Sequence, residues 1–192
     1  MKKRLITNVF KKEEMIWLRN TEETVDSPAE WAVTNARIII KNPAPSIQET
    51  IMDALGFSNV IGDYSKINKT IEGKAFPNYS EIIPKPDTDR FPCYKFRDTE
   101  LYYKNSIDAY IKILELINKQ YAYINKNYYE LISQLTSERN ILISKNREMA
   151  VGTFDDATID KSNRYIIMML MRPGIFDKEL ERYLIDLRSK LI

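Results

Sequence analysis

The chain has 192 residues, 44% of them hydrophobic and 29% charged, with a formal net charge of +2. That balance fits a folded protein with a true core and excludes a polyelectrolyte or low-complexity chain. Histidine is absent and Cys93 is the only cysteine, which excludes Ser-His-Asp and Cys-His nucleophiles, imidazole metal ligands, intrachain disulfides and cysteine zinc clusters.

The first twelve residues carry Lys2, Lys3, Arg4, Lys11 and Lys12 without an acid, and residues 13–30 carry six acids against Arg19 alone. A basic arm of this kind either touches phosphates, releasing counterions, or pairs with the acids that follow it. No apolar h-region follows Met1-Lys2-Lys3-Arg4, and the longest apolar run, Ile166 to Met171, is too short to span a bilayer. The expectation is a cytoplasmic protein without a membrane segment, or a virion protein if the gene belongs to a phage. Ile, Lys, Asn and Tyr, at 26, 18, 14 and 12 residues, point by codon content to an A/T-rich bacterial or phage genome.

A short helix is expected around Phe10 to Leu18, anchored by Trp17. Ser27-Pro28-Ala29-Glu30 has the form of a capping box and predicts a helix through Trp31 toward Ile40, although Ile38-Ile39-Ile40 is also strand-like. Ser46-Ile47-Gln48-Glu49 repeats the box and predicts a helix that Gly56 terminates. Residues 47–67 have the outline of a helix-turn-helix, but the second segment holds Gly62 and Asp63 and only Lys66 and Lys69 as cations, a poor recognition helix.

Between Gly73 and Arg97, Pro77, Pro84, Pro86 and Pro92 alternate with Phe76, Tyr79, Phe91, Tyr94 and Phe96. Such proline density excludes a helix and predicts an extended segment lying in a groove of this chain or of a neighbour. Lys85, Asp87, Asp89 and Lys95 have the residue types of a metal-dependent nuclease core, which the same prolines make an unsuitable frame.

From Tyr103 to Leu142 a 3-4 repeat runs without Gly or Pro, with Ile107, Leu114, Tyr121, Tyr128 and Leu135 at one seam position and Tyr110, Ile117, Ile124 and Leu131 at the other. A helix from about Thr99 to Asn146 would be roughly 70 Å long, against a diameter of about 40 Å for a compact chain of this size. The repeat therefore predicts a projecting helix that meets another copy or a partner, or one folded into a hairpin near Asn125 or Thr136. After Gly152 a terminal helical hairpin is expected, its first helix ending at Arg172-Pro173-Gly174 and its second running from Asp177 to Leu191.

The expected fold is mainly α: an elongated bundle around one central helix of about 45 residues, in four stretches (1–72, 73–98, 99–150 and 151–192) of one structural domain. Asp155, Asp156 and Asp160 form the only acid cluster. They suit a helix N-terminus better than a Mg²⁺ site, so neither a metal nor a cofactor is expected. The functional expectation is a non-enzymatic structural protein that oligomerises within a larger assembly, such as a phage connector or ring subunit. The alternative is a nucleic-acid-binding adaptor with the layout of a small packaging-terminase subunit, using the basic arm.

Overall fold

β-Branched and aromatic residues fill apolar stretches such as Ile38-Ile39-Ile40 and Tyr121-Ala122-Tyr123-Ile124, and on a pleated strand they pack at less cost than on a helix. The computed structural model describes residues 3–10, 15–57, 61–67, 70–72, 76–78, 93–104, 110–116, 119–137, 140–154 and 163–189. Among them run, in order, α1 (Lys3–Val9), β1 (Ile16–Thr21), β2 (Glu30–Thr34), β3 (Ile38–Lys41), α2 (Pro45–Leu55), β4 (Gly62–Ile67), β5 (Thr70–Glu72) and β6 (Cys93–Tyr94). There follow β7 (Phe96–Lys104), β8 (Tyr110–Leu116), β9 (Tyr121–Asn125), α3 (Lys126–Leu135), β10 (Ile141–Ser144), β11 (Met149–Thr153), β12 (Tyr165–Met169) and α4 (Pro173–Ser189).

The mainly α bundle is therefore corrected to a β-rich fold with short helices, with no long central helix among the described residues. The stretch expected as one helix holds β8, β9, α3 and β10 in succession. The connector or ring-subunit expectation, drawn by analogy from the A/T-rich composition, finds no support in this fold. The capping box at Ser27 does not start a helix either: Thr24 and Ser27 close a turn, with Thr24 N–H bonded to Ser27 O at 2.9 Å, and β2 follows. Residues 165–169, expected in the terminal hairpin, form a strand, and the supposed recognition helix of residues 57–67 contains β4.

Two expectations hold in part. The helix expected at Ser46 starts instead at Pro45 after Ala44, without a side-chain cap. Helix α2 ends at Gly56, whose φ of 70° is the left-handed conformation in which a glycine closes a helix. A final helix, α4, is present as expected, but it starts at Pro173 and not near Asp177, so Pro173 and Gly174 lie inside its first turn.

Nine strands form one antiparallel sheet in the order β5-β4-β1-β2-β3-β12-β11-β10-β6, and β7-β8-β9 form a second. The register aligns Tyr64, Leu18, Val33, Ile40, Ile166, Gly152 and Ile141 in one row across seven strands. All but Gly152 line the main core or pack against it. Alternation then turns Asp63, Arg19, Lys41 and Tyr165 to the opposite face.

The core side is closed by helices. α1 buries Leu5, Ile6 and Val9 against α2 and α3, and Asn35 at the β2–β3 turn donates to Val9 O at 3.1 Å, satisfying a carbonyl that the end of α1 leaves open. The three-stranded sheet joins the same core through Leu114, Leu116, Ala122 and Ile124. Its other face carries Ile111, Ile113 and Tyr123 into a smaller cluster under Leu180 and Phe176 of α4. The two sheets are also tied through the chain, β6 running past Lys95 into β7, and through a bridge between Tyr123 and Met171.

Candidate functional site

Lys112 is the deepest charged side chain among the described residues, 2% exposed in the middle of β8. An ammonium taken that far from water needs a close counter-charge and further hydrogen-bond partners. Asp98 of β7 supplies the charge, through an ion pair between its Oδ1 and the lysine Nζ. The second oxygen of Asp98 accepts the Tyr129 hydroxyl of α3 at 2.9 Å. The Lys112 ammonium also lies 4.3 Å from the Tyr102 ring centroid and 5.3 Å from that of Tyr129, within cation–π range.

A β-bulge builds this arrangement. Asp98 pairs with Leu114 and Tyr102 with Lys112, so four residues of β7 span what two residues of β8 span. An even register would set Glu100 opposite Lys112; the bulge sets Tyr102 there instead. Thr99 fixes the bulge, its hydroxyl donating to Ile113 O at 2.6 Å and accepting from Leu101 N–H at 3.2 Å.

The ladder continues outward. Lys126, the first residue of α3, places its ammonium 5.3 Å from the Tyr102 ring and 5.8 Å from the Tyr110 ring, and its Nζ lies 3.7 Å from Glu130. Tyr110 opens β8 with 54% of its surface exposed, and Lys104, also exposed, pairs with it across the strands. Cation and ring thus alternate from the buried Lys112 to the surface at Tyr110.

Two other polar centres hold elements together. On the face of the large sheet away from the core, Arg19 grips Asp63 with two hydrogen bonds of 2.9 and 3.2 Å, and Asp63 also accepts the Phe76 N–H at 3.1 Å. The Arg19 hydrogen bonds, joined by that N–H and opposed by partial burial, hold the Asp63 carboxyl below its ordinary value. Glu30 lies 3.8 Å from Arg19 and 3.6 Å from Lys41, extending an alternating charge row over four strands. Beneath α4, Asp177 accepts the fully buried Tyr123 hydroxyl at 2.6 Å and pairs with Arg147 at 3.2 Å, while Arg147 also donates to Tyr121 O at 2.9 Å. On β8 the half-buried Glu115 is held below its usual range, chiefly by a hydrogen bond from Arg97 and further by Lys119.

The expected interface stripe does not exist as one surface. Leu114 and Ile124 lie on strands, and Tyr128, Leu131 and Leu135 lie on α3; all five are buried in the chain's own core. Tyr121 is half-buried beside α4 and Tyr110 is exposed, while Ile107 and Ile117 lie outside the described residues. Of the Pro/aromatic segment, Phe76 is buried 4.9 Å beneath Arg19, Tyr94 pairs with Ile143 in β6, and Phe96 packs on the main core. Tyr79 and Phe91 lie outside the described residues, as do Lys85, Asp87, Asp89, Asp155, Asp156 and Asp160. In the basic arm, Lys3 pairs with Asp53 of α2 and Arg4 is exposed; Lys2, Lys11 and Lys12 lie outside the described residues.

The Lys112 centre was not anticipated from the sequence. One signal was present: a lysine flanked by isoleucines in Tyr110-Ile111-Lys112-Ile113-Leu114 sits where a buried strand would place an apolar residue. No known family model matches this chain, and no curated protein or solved structure shows a significant match to it.

Proposed function

We propose that the chain is a non-enzymatic assembly protein that associates with copies of itself, and that β7 provides the contact. The carrying observation is the outer edge of this strand. β7 is nine residues long, ends the three-stranded sheet, pairs only with β8 among the described residues, and carries Leu101 at 40% exposure. A strand edge of this kind offers a row of main-chain donors and acceptors to a second strand. Its bulge and its charges at Arg97 and Lys104 oppose indiscriminate pairing, so a matched partner is favoured over aggregation.

The non-enzymatic part of the reading is supported by how the polar centres are spent. Asp98, Asp63 and Asp177 each hold two or more donors from different elements, which suits fastening better than proton transfer.

Light scattering over a concentration series tests the association. The expected result is a mass that is a multiple of 22.6 kDa and falls to that of one chain in Leu101→Lys, with an unchanged thermal transition. A well-folded monomer at every concentration overturns the proposal.

A further inference from the structure

Beyond self-association, the outer end of the lysine and tyrosine ladder has the makings of a binding surface. Two features of the ladder set its outer end apart from its inner end. At the inner end the buried Lys112 is joined to half-buried Asp98 and to Tyr129, with its ammonium over the Tyr102 ring. At the outer end a large ring, Tyr110, stands more than half exposed on a strand, with Lys104 across from it and Lys126 5.8 Å from its centroid. An exposed ring flanked by two ammonium groups, one of them 3.7 Å from Glu130, suits a flat aromatic ligand that carries negative charge beside it. A nucleobase with its neighbouring phosphate has that chemistry.

We infer that this surface binds single-stranded nucleic acid, with one base stacked on Tyr110 and the adjoining phosphates against Lys126 and Lys104. A single strand fits better than a duplex because only an unstacked base can present its face to the ring. Two cations serve two phosphates, so binding weakens modestly with salt, with a slope of about −1.4 in log K against log salt. Stacking is indifferent to base identity, so the preference among sequences is slight.

The test is fluorescence anisotropy at low salt of a labelled single-stranded oligonucleotide with the full chain freed of nucleic acid. The unlabelled duplex and adenosine monophosphate serve as competitors. The expected result is saturable binding of the single strand, with the duplex and the mononucleotide competing at least ~10-fold less well. Tyr110→Ala weakens binding about 10-fold and Tyr110→Phe retains it, because stacking needs the ring and not the hydroxyl. Lys126→Gln and Lys104→Gln each lower the salt slope by about 0.7.

Binding that survives Tyr110→Ala, a duplex or mononucleotide that competes equally well, or no binding at low salt overturns the inference. Should Tyr110→Ala lose its fold, the Lys126→Gln salt slope decides alone. Mass in solution is measured without nucleic acid, so failure of this inference and failure of self-association remain separate results.

Discussion

At the residue scale, the turns explain why the strands were hard to see. Lys119, between β8 and β9, has φ 64°, and Arg147, between β10 and β11, has φ 60°; Ala36, between β2 and β3, has φ 68°. Left-handed backbone normally recruits glycine or asparagine, but here an alanine, a lysine and an arginine adopt it, and the turn asparagines Asn35 and Asn146 stand one residue earlier, accepting the N–H of Arg37 and of Glu148. Ala36 is exposed and strained by this conformation. Ala36→Gly is therefore expected to raise stability by about 0.5–1 kcal/mol, read as a higher urea midpoint at unchanged slope; a lower midpoint would contradict the strain. The Asp63 carboxyl allows a pH test. Because its folded pKa is lowered, its pairing with Arg19 stabilises the fold fully above about pH 4 and is lost as pH falls through the folded value. Asp63→Asn is expected to cost about 1 kcal/mol near neutrality, after discounting for partial exposure. Chemical denaturation across pH should show the gap between wild type and variant closing in acid. A gap that stays constant would mean that the charge of Asp63 is not what holds Phe76 and Arg19.

At the element scale, the seven-residue repeat was a real pattern with the wrong cause. In β8 both faces are buried, Ile111 and Ile113 under α4 and Leu114 and Leu116 in the main core. An apolar run buried on both faces satisfies a helical period as readily as a strand period. Only α3, at Lys126–Leu135, uses the repeat as a helix does, burying Tyr128, Leu131, Ile132 and Leu135. The elements that were legible were those with local boundary residues, Gly56 after α2 and Pro173 as the first residue of α4. The site was less legible, because Lys112 meets Asp98 only through a bulge that no local signal announces. The pair predicts its own energetics. Asp98→Asn leaves the Lys112 ammonium buried without its counter-charge and is expected to cost about 3 kcal/mol or more. Adding Lys112→Met should recover most of that loss, since a buried ion pair is often replaceable by apolar packing. A double-mutant cycle in urea checks this; additive losses would show that the two side chains act independently. Gly152 offers a parallel test where β11 meets the end of α3. A Cβ there would lie 3.0 and 3.1 Å from Thr136 and 3.3 Å from Ile166. Gly152→Ala is expected to cost about 1–3 kcal/mol by overpacking, relieved when Thr136→Ala accompanies it.

At the scale of the whole molecule, the question is whether two sheets make one cooperative body. The main core takes Leu5 and Val9 from α1, Leu18 and Ile40 from the large sheet, Leu114 and Ile124 from the small sheet, and Leu131 from α3. Helix α3 packs against β8 and β9 on one side and α1 on another, and its buried residues share one cluster with those of the large sheet. A shared core of this kind favours all-or-none unfolding. Trp17 and Trp31 both lie in the large sheet, on β1 and β2, and tryptophan emission therefore follows that sheet. Amide exchange at Ile113 and Tyr123 follows the small one. The two probes are expected to give the same urea midpoint, and the same free energy of opening within about 0.5 kcal/mol. Helix α4 should depart from this unity. Its contacts belong to the separate cluster around Ile111, Ile113 and Tyr123, fastened by Asp177 to Tyr123 and Arg147. Its amides should exchange through a local opening at lower free energy, and Asp177→Asn should speed that exchange while leaving the large-sheet midpoint almost unmoved. If Asp177→Asn instead lowered the tryptophan midpoint as much as the α4 protection, α4 would be an integral part of the main core, and the division into two clusters would have no energetic meaning.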